Sequence, residues 1–149
     1  MRKNMNRKVF VDTDIVLDVI TRREPFYVPA AQVFSLAAEK KIELYISPVL
    51  IANLFYILRK RIGKESAINA IRKLRILAKV APVDEEIVDL VLSSGFKDME
   101  DGFQYYSALK AGIPVLLTRN EKDFVGMEIA IMNCEEYLSA YGMKTKRRR

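Results

Sequence analysis

The chain's 149 residues include 25 Lys and Arg against 19 Asp and Glu, with no histidine, no tryptophan and a single cysteine, Cys134. Without histidine, a Ser-His-Asp triad, a Cys-His dyad and a His general base are excluded, and so is nearly every zinc site built on soft ligands. Half the residues are apolar, enough to build a core without disulfides, and the chemistry left is that of carboxylates, most naturally with a hard metal such as Mg²⁺ or Mn²⁺.

The formal charge of +6 sits at the ends. Arg2, Lys3, Arg7 and Lys8 open the chain without an acid, and Lys144, Lys146, Arg147, Arg148 and Arg149 close it without one. Between them the body is net negative. A single domain over residues 8–141 is expected, with basic, flexible ends at 1–7 and 142–149. No apolar run approaches the roughly 20 residues of a membrane span. The first eight residues lack the apolar stretch of a signal peptide. The expectation is a soluble, cytoplasmic protein without membrane contact.

In chain order, Val9-Phe10-Val11 predicts a short buried strand ending at Asp12. Ile15 to Ile20 reads as a helix capped by Thr13 or Asp14. Pro25 and Pro29 bracket the entry to a helix over Val28–Lys40. Leu44 to Ile46 predicts a second strand. Leu50 to Arg61 is an amphipathic helix with Leu50, Ile51, Leu54, Phe55, Ile57 and Leu58 on one broad face. Further helices are expected at Lys64–Leu77, Asp84–Ser94 and Lys97–Ala111, the last stopped by Gly112 and Pro114. Short strands are expected at Val80–Val83, Val115–Leu117 and Met127–Met132, and a terminal helix at Glu135–Tyr141.

Strands alternating with helices predict an α/β domain whose central sheet of four to five strands is mainly parallel. Ligands in such sheets sit beyond the carboxyl ends of strands, which here carry Asp12 and Asp14, Ser47, and Thr118 with Asn120. Asp12 follows three apolar residues, and a carboxylate buried there needs a partner such as a metal; ending the strand is its plainer role. Asp98 and Asp101 lie three apart at a helix start and project from one side, an arrangement that also serves capping. Asn53 sits at the edge of the apolar arc of its helix, either as a boundary residue or facing a site. Carboxylates meeting at the strand ends would bind one or two Mg²⁺ or Mn²⁺ ions, which activate water and stabilise the leaving oxygen in phosphodiester hydrolysis. Eight bases against one acid at 59–79 suit either RNA phosphates or solvated helix faces.

Three blocks, in this order, resemble the PIN-domain ribonucleases, the fold of the toxin half of VapBC-type toxin–antitoxin pairs. They are Val9-Phe10-Val11-Asp12-Thr13-Asp14-Ile15-Val16-Leu17-Asp18, Lys97-Asp98-Met99-Glu100-Asp101-Gly102 with Ala108 on the same helix, and Leu116-Leu117-Thr118-Arg119-Asn120-Glu121-Lys122-Asp123-Phe124. The resemblance implies a three-layer α/β/α fold and metal-dependent cleavage of RNA. It implies Asp12 and Asp101 as the main metal ligands, Asp98 as a further acid, and Asn120 and Asp123 where the family has its last polar or acidic group. Asp14, Asn53, Thr118 and Arg119 are expected to meet the substrate. Asn53 stands where the family usually has Glu, so the site holds fewer negative charges. An antitoxin partner and a homodimer are also implied; the apolar face of residues 50–58 suits either a dimer or an internal core. Two other readings stay open. Asn53 and Asn120 suit a non-catalytic or weakly active RNA- or partner-binding protein. Asp12-Thr13-Asp14-Ile15-Val16 also meets the D-x-D-x-[TV] opening of haloacid-dehalogenase-type phosphatases, with Asp12 as nucleophile.

Overall fold

Residues 7–124 and 127–142 are described by the computed structural model. Strand β1 (Lys8–Val11) sits at its centre. Val9, Phe10 and Val11 are all inaccessible to solvent. Val9 and Val11 join one apolar cluster and Phe10 the other, as side-chain alternation requires of a strand covered on both faces.

β1 is flanked in parallel by β2 (Glu43–Ile46) and β4 (Val115–Leu117), with Val9 level with Leu44 on one side and Val115 on the other. β3 (Ala78–Val80) pairs beyond β2 and β5 (Ala130–Met132) beyond β4. The order is β3-β2-β1-β4-β5, and every pairing is parallel. Helices α1 (Thr13–Ile20), α2 (Tyr27–Ala38), α3 (Pro48–Ile62), α4 (Lys64–Leu77) and α7 (Cys134–Tyr141) fill the face of Val9 and Val11. α6 (Met99–Lys110) covers the opposite face through Tyr105 and Ala108, and α5 (Glu85–Ser93) packs against α6. This is the three-layer α/β/α architecture, with five parallel strands.

Several boundaries differ from the sequence expectation, each for a local reason. Asp12 itself caps α1, its Oδ1 accepting from the Thr13 N–H at 2.8 Å, because the extended backbone that ends a strand is also N-cap geometry. α3 starts at Pro48, before its apolar face, because Ser47 caps it and proline fits the first turn. The third strand is Ala78–Val80 rather than Val80–Val83: Pro82 has no N–H to donate, and Ala78 to Val80 pair with Leu44 to Ile46. β5 is shorter than Met127–Met132 because β4 offers only Val115 to Leu117 as partners.

Leu50, Leu54 and Leu58 are fully buried in the chain's own core, each contributing about 1.5–3 kcal/mol. That part of the face considered for a dimer is thus used within the chain. The basic ends, apart from Arg7 and Gly142, lie outside the described residues.

Candidate active site

β1 delivers Asp12 to the carboxyl edge of the sheet, where its backbone N–H donates to Leu117 O at 2.9 Å. Only 4% of Asp12 is exposed. Its Oδ1 accepts from Thr13 N–H and its Oδ2 from the Thr118 hydroxyl at 2.9 Å. Burial pushes its pKa up to about 6 against these two hydrogen bonds, and the charges of Asp14 and Glu100 push the same way as burial.

α6 starts at the same edge. Asp98 caps it, Oδ1 accepting from the Asp101 N–H at 3.1 Å. The carboxylate of Asp101 accepts no hydrogen bond from the described residues. Burial, then the charges of Asp12, Asp98, Asp123 and Glu100, push its pKa up to about 7. Asp98, Asp101 and Asp123 line one cleft of about 450 Å³, together with Phe96, Lys97, Tyr106 and Lys122. The structure thus brings Asp12, Asp98, Asp101 and Asp123 into one electrostatic neighbourhood from three separate segments.

The segment after β4 divides between this site and its support. Asn120 Nδ2 donates to Asp14 Oδ2 at 3.2 Å, and its backbone N–H to the Thr118 hydroxyl at 3.0 Å. Thr118 is fully buried, so it stands behind Asp12 and orients it. Arg119 does not line the acid cleft. Its Nε and Nη2 donate to Asp18 Oδ2 and Oδ1 at 2.9 and 3.3 Å, and its guanidinium lies 4.0 Å from the centroid of the Phe26 ring. Asp18 has no exposed side-chain surface and also meets Arg23 Nε at 3.9 Å. This pair lines a separate cleft of about 240 Å³ with Ile15 and Cys134 and ties the Thr118–Asn120 segment to α1. Asn53 is half-buried on α3, makes no hydrogen bond with the described residues, and does not line the acid cleft.

Sequence reasoning passed over Glu100 and Gln104. Glu100 Oε2 accepts from the Thr13 hydroxyl and from Gln104 Nε2 at 3.4 Å. Gln104 is inaccessible to solvent, and its Oε1 accepts from the Ser47 hydroxyl at 2.8 Å. Ser47 Oγ in turn accepts from Leu50 N–H at 3.0 Å. The relay joins the first turns of α1, α3 and α6 around the site. Its one sequence signal was the four-residue spacing of Glu100 and Gln104, which places both on one helix face.

Among the described residues, no three Asp, Glu or Cys side chains gather closely enough to hold a metal ion as they stand. The donor chemistry still fits a hard cation. All the candidate groups are oxygens, and Mg²⁺ uses one or two carboxylates while keeping several waters. Asp12 and Asp101 fit that need: burial, and then the charge of neighbouring acids, raises both pKa values, and a bound cation would offset that cost of holding two ionised carboxylates there.

Fold and site together define a parallel α/β/α domain with an acidic oxygen-donor cleft at its strand ends. Residues 8–122 match the PIN domain family, and the chain belongs to that family. It is 28% identical over 137 residues to Ribonuclease VapC1 of Aquifex aeolicus (strain VF5), a match spanning 89% of this chain and 94% of that relative. VapBC2 from Rickettsia felis, solved bound to a DNA fragment from the promoter, superposes with a TM-score of 0.65 at 17% identity, covering 85% of this chain and 97% of that one. VapC20 of Mycobacterium tuberculosis, described as a Sarcin-Ricin loop cleaving toxin, gives 0.63 at 16% identity, covering 80% and 95%. These structural likenesses concern the fold. No helix among the described residues is long and apolar enough to cross a membrane.

Proposed function

We propose that this chain is a Mg²⁺- or Mn²⁺-dependent endoribonuclease that hydrolyses RNA phosphodiester bonds, and the toxin of a toxin–antitoxin pair. One observation carries the reading: Asp101 is half-buried within reach of the charges of Asp12, Asp98, Asp123 and Glu100, and no described residue donates a hydrogen bond to its carboxylate. When bound, the metal supplies an activated water and charge stabilisation at the phosphate. Asp12 and Asp101 would hold it, with Asp98 and Asp123 adding negative charge from the cleft wall. Thr118 and the Thr13 N–H fix the orientation of Asp12. Glu100, held by Thr13 and Gln104, adds a further carboxylate beside both. Asn120, bonded to Asp14, is a neutral group positioned to orient water or a phosphate oxygen.

The phosphatase alternative has less support, since both oxygens of Asp12 already accept hydrogen bonds and almost none of it is exposed. On the nuclease reading the protein works in the cytoplasm as a homodimer, restrained by an antitoxin. An open cleft of about 600 Å³ between α1, α2 and α4, with half-buried Val19, Ile20, Tyr27 and Leu77 in its lining, offers apolar surface to such a partner. The purified, antitoxin-free protein should cut structured and tRNA-like RNAs with Mn²⁺ supplied. Cutting should stop with EDTA and in Asp12→Asn and Asp101→Asn. RNA left intact by the wild-type protein with Mn²⁺ refutes the catalytic claim.

A further inference from the structure

Beside its three aspartates, the cleft of about 450 Å³ carries groups that metal chemistry does not use: the rings of Phe96 and Tyr106 and the ammonium groups of Lys97 and Lys122. We propose that these four side chains form a subsite for one unpaired nucleotide of the RNA substrate, next to the bond to be cut. The base lies against Tyr106 and Phe96, and its flanking phosphates meet Lys97 and Lys122. The proposal rests on the nuclease reading and adds to it the side chains of this chain that seat the substrate beside the bond to be cut.

The aromatic wall is preformed. Phe96 and Tyr106 stand edge to face with ring centroids 6.1 Å apart. Tyr105 braces Tyr106 at 5.0 Å, and Phe124 braces Phe96 at 5.8 Å. A ring held in this way loses little freedom when a base stacks on it. The Tyr106 hydroxyl makes no hydrogen bond with the described residues, so it is free to reach a base edge.

Gly102 marks where α5 and Phe96 pack on α6. A Cβ there would approach Val91 Cγ1 to 3.1 Å and Phe96 Cβ to 3.5 Å. Glycine inside a helix costs roughly 0.5–1 kcal/mol relative to alanine; here the tight approach is that of Val91 on α5, while Phe96 rests on α6 at ordinary contact distance.

The lysines complete the chemistry. Lys97 and Lys122 are exposed and form no ion pair with the described residues, although aspartates line the same cleft. Cations beside an acidic pocket suit a polyanion that must be brought to it. The cleft volume falls within the range of small-ligand sites, room for one nucleotide rather than a helix. A base inside an A-form duplex has both faces stacked and cannot offer one to Tyr106, whereas a loop or single-strand base can.

The test is binding to a short labelled single-stranded oligoribonucleotide, its duplex, and AMP, by fluorescence anisotropy and competition. Full-length protein in an Asp101→Asn background with EDTA removes cleavage and part of the acid repulsion. Tyr106→Leu should weaken single-strand binding about 5- to 100-fold and leave duplex binding unchanged. Lys122→Gln should lower the salt dependence by about one phosphate contact. An abasic scan, with Tyr106 intact, should find one position whose loss is matched by Tyr106→Leu and not deepened by it. Equal binding by Tyr106→Leu, an equal loss on duplex, or an abasic scan without such a position overturns the subsite. AMP binding as tightly as the oligomer would assign the cleft to free nucleotides and overturn it too. Because binding is read without metal, this pattern in a protein that cuts no RNA would refute the nuclease reading alone; RNA cutting without it would refute the subsite alone.

Discussion

Replacing Asp101 with asparagine should stabilise the metal-free protein while ending its response to metal. Burial and four neighbouring acids lift the Asp101 pKa from 3.8 to about 7. Taken whole, that difference disfavours the ionised folded protein by about 4 kcal/mol. The side chain is only half-buried, so solvent screening reduces the working figure to about 1–2 kcal/mol. A folded-state pKa above the unfolded one means that the folded protein binds this proton more tightly. The group's favourable contribution is therefore present below pH 4, declines as pH rises toward 7, and is gone above it. In EDTA at pH 8, where the wild-type carboxylate is charged, Asp101→Asn should melt roughly 2–6 °C higher, and the gap should shrink at pH 5. Mn²⁺ at a hundredfold excess over its Kd adds about 2.7 kcal/mol to the wild type and should add little to the variant. Melting followed by circular dichroism reads all of these. A variant that melts at or below the wild type at pH 8, or responds to Mn²⁺ equally, would refute the reasoning.

Three further substitutions probe the support behind the acids. Arg119→Met leaves the inaccessible carboxylate of Asp18 only the looser Arg23 contact at 3.9 Å and should cost about 3 kcal/mol in urea unfolding; a loss below 1 kcal/mol would show that the pair does not hold the fold. Thr118→Val removes the hydroxyl donor to Asp12 and should raise the pKa of that carboxyl, moving the acid limb of the pH–rate profile upward; an unmoved limb counts against Thr118 as the orienting group. Gln104→Leu leaves Ser47 and Glu100 without their shared partner and should cost about 1–3 kcal/mol, with a larger drop in kcat than any rise in KM. Unchanged stability would mean the relay is not closed in solution.

The three central strands were legible because they are short apolar runs punctuated by Asp12, Ser47-Pro48 and Thr118, and because a parallel sheet leaves such runs no polar face. The acids at those punctuation points were therefore legible too. Asp98 shows why one residue can bear two readings: it caps α6 and lines the cleft at once. Arg119 was less legible. Its partner Asp18 is 101 positions away in sequence, and neither charge pattern nor helical spacing reports a contact across that distance. Gln104 was missed for the same reason, since its bond to Ser47 spans 57 positions. The face of residues 50–58 could not be assigned from periodicity, because a helix facing its own core and one facing a second copy carry the same stripe.

A Mn²⁺-soaked crystal, read by anomalous scattering, tests the central claim most directly. A peak between the carboxylates of Asp12 and Asp101 that vanishes in Asp101→Asn is the predicted result. No peak there at saturating Mn²⁺, or one that persists in the variant, would contradict a metal centre built on these two residues.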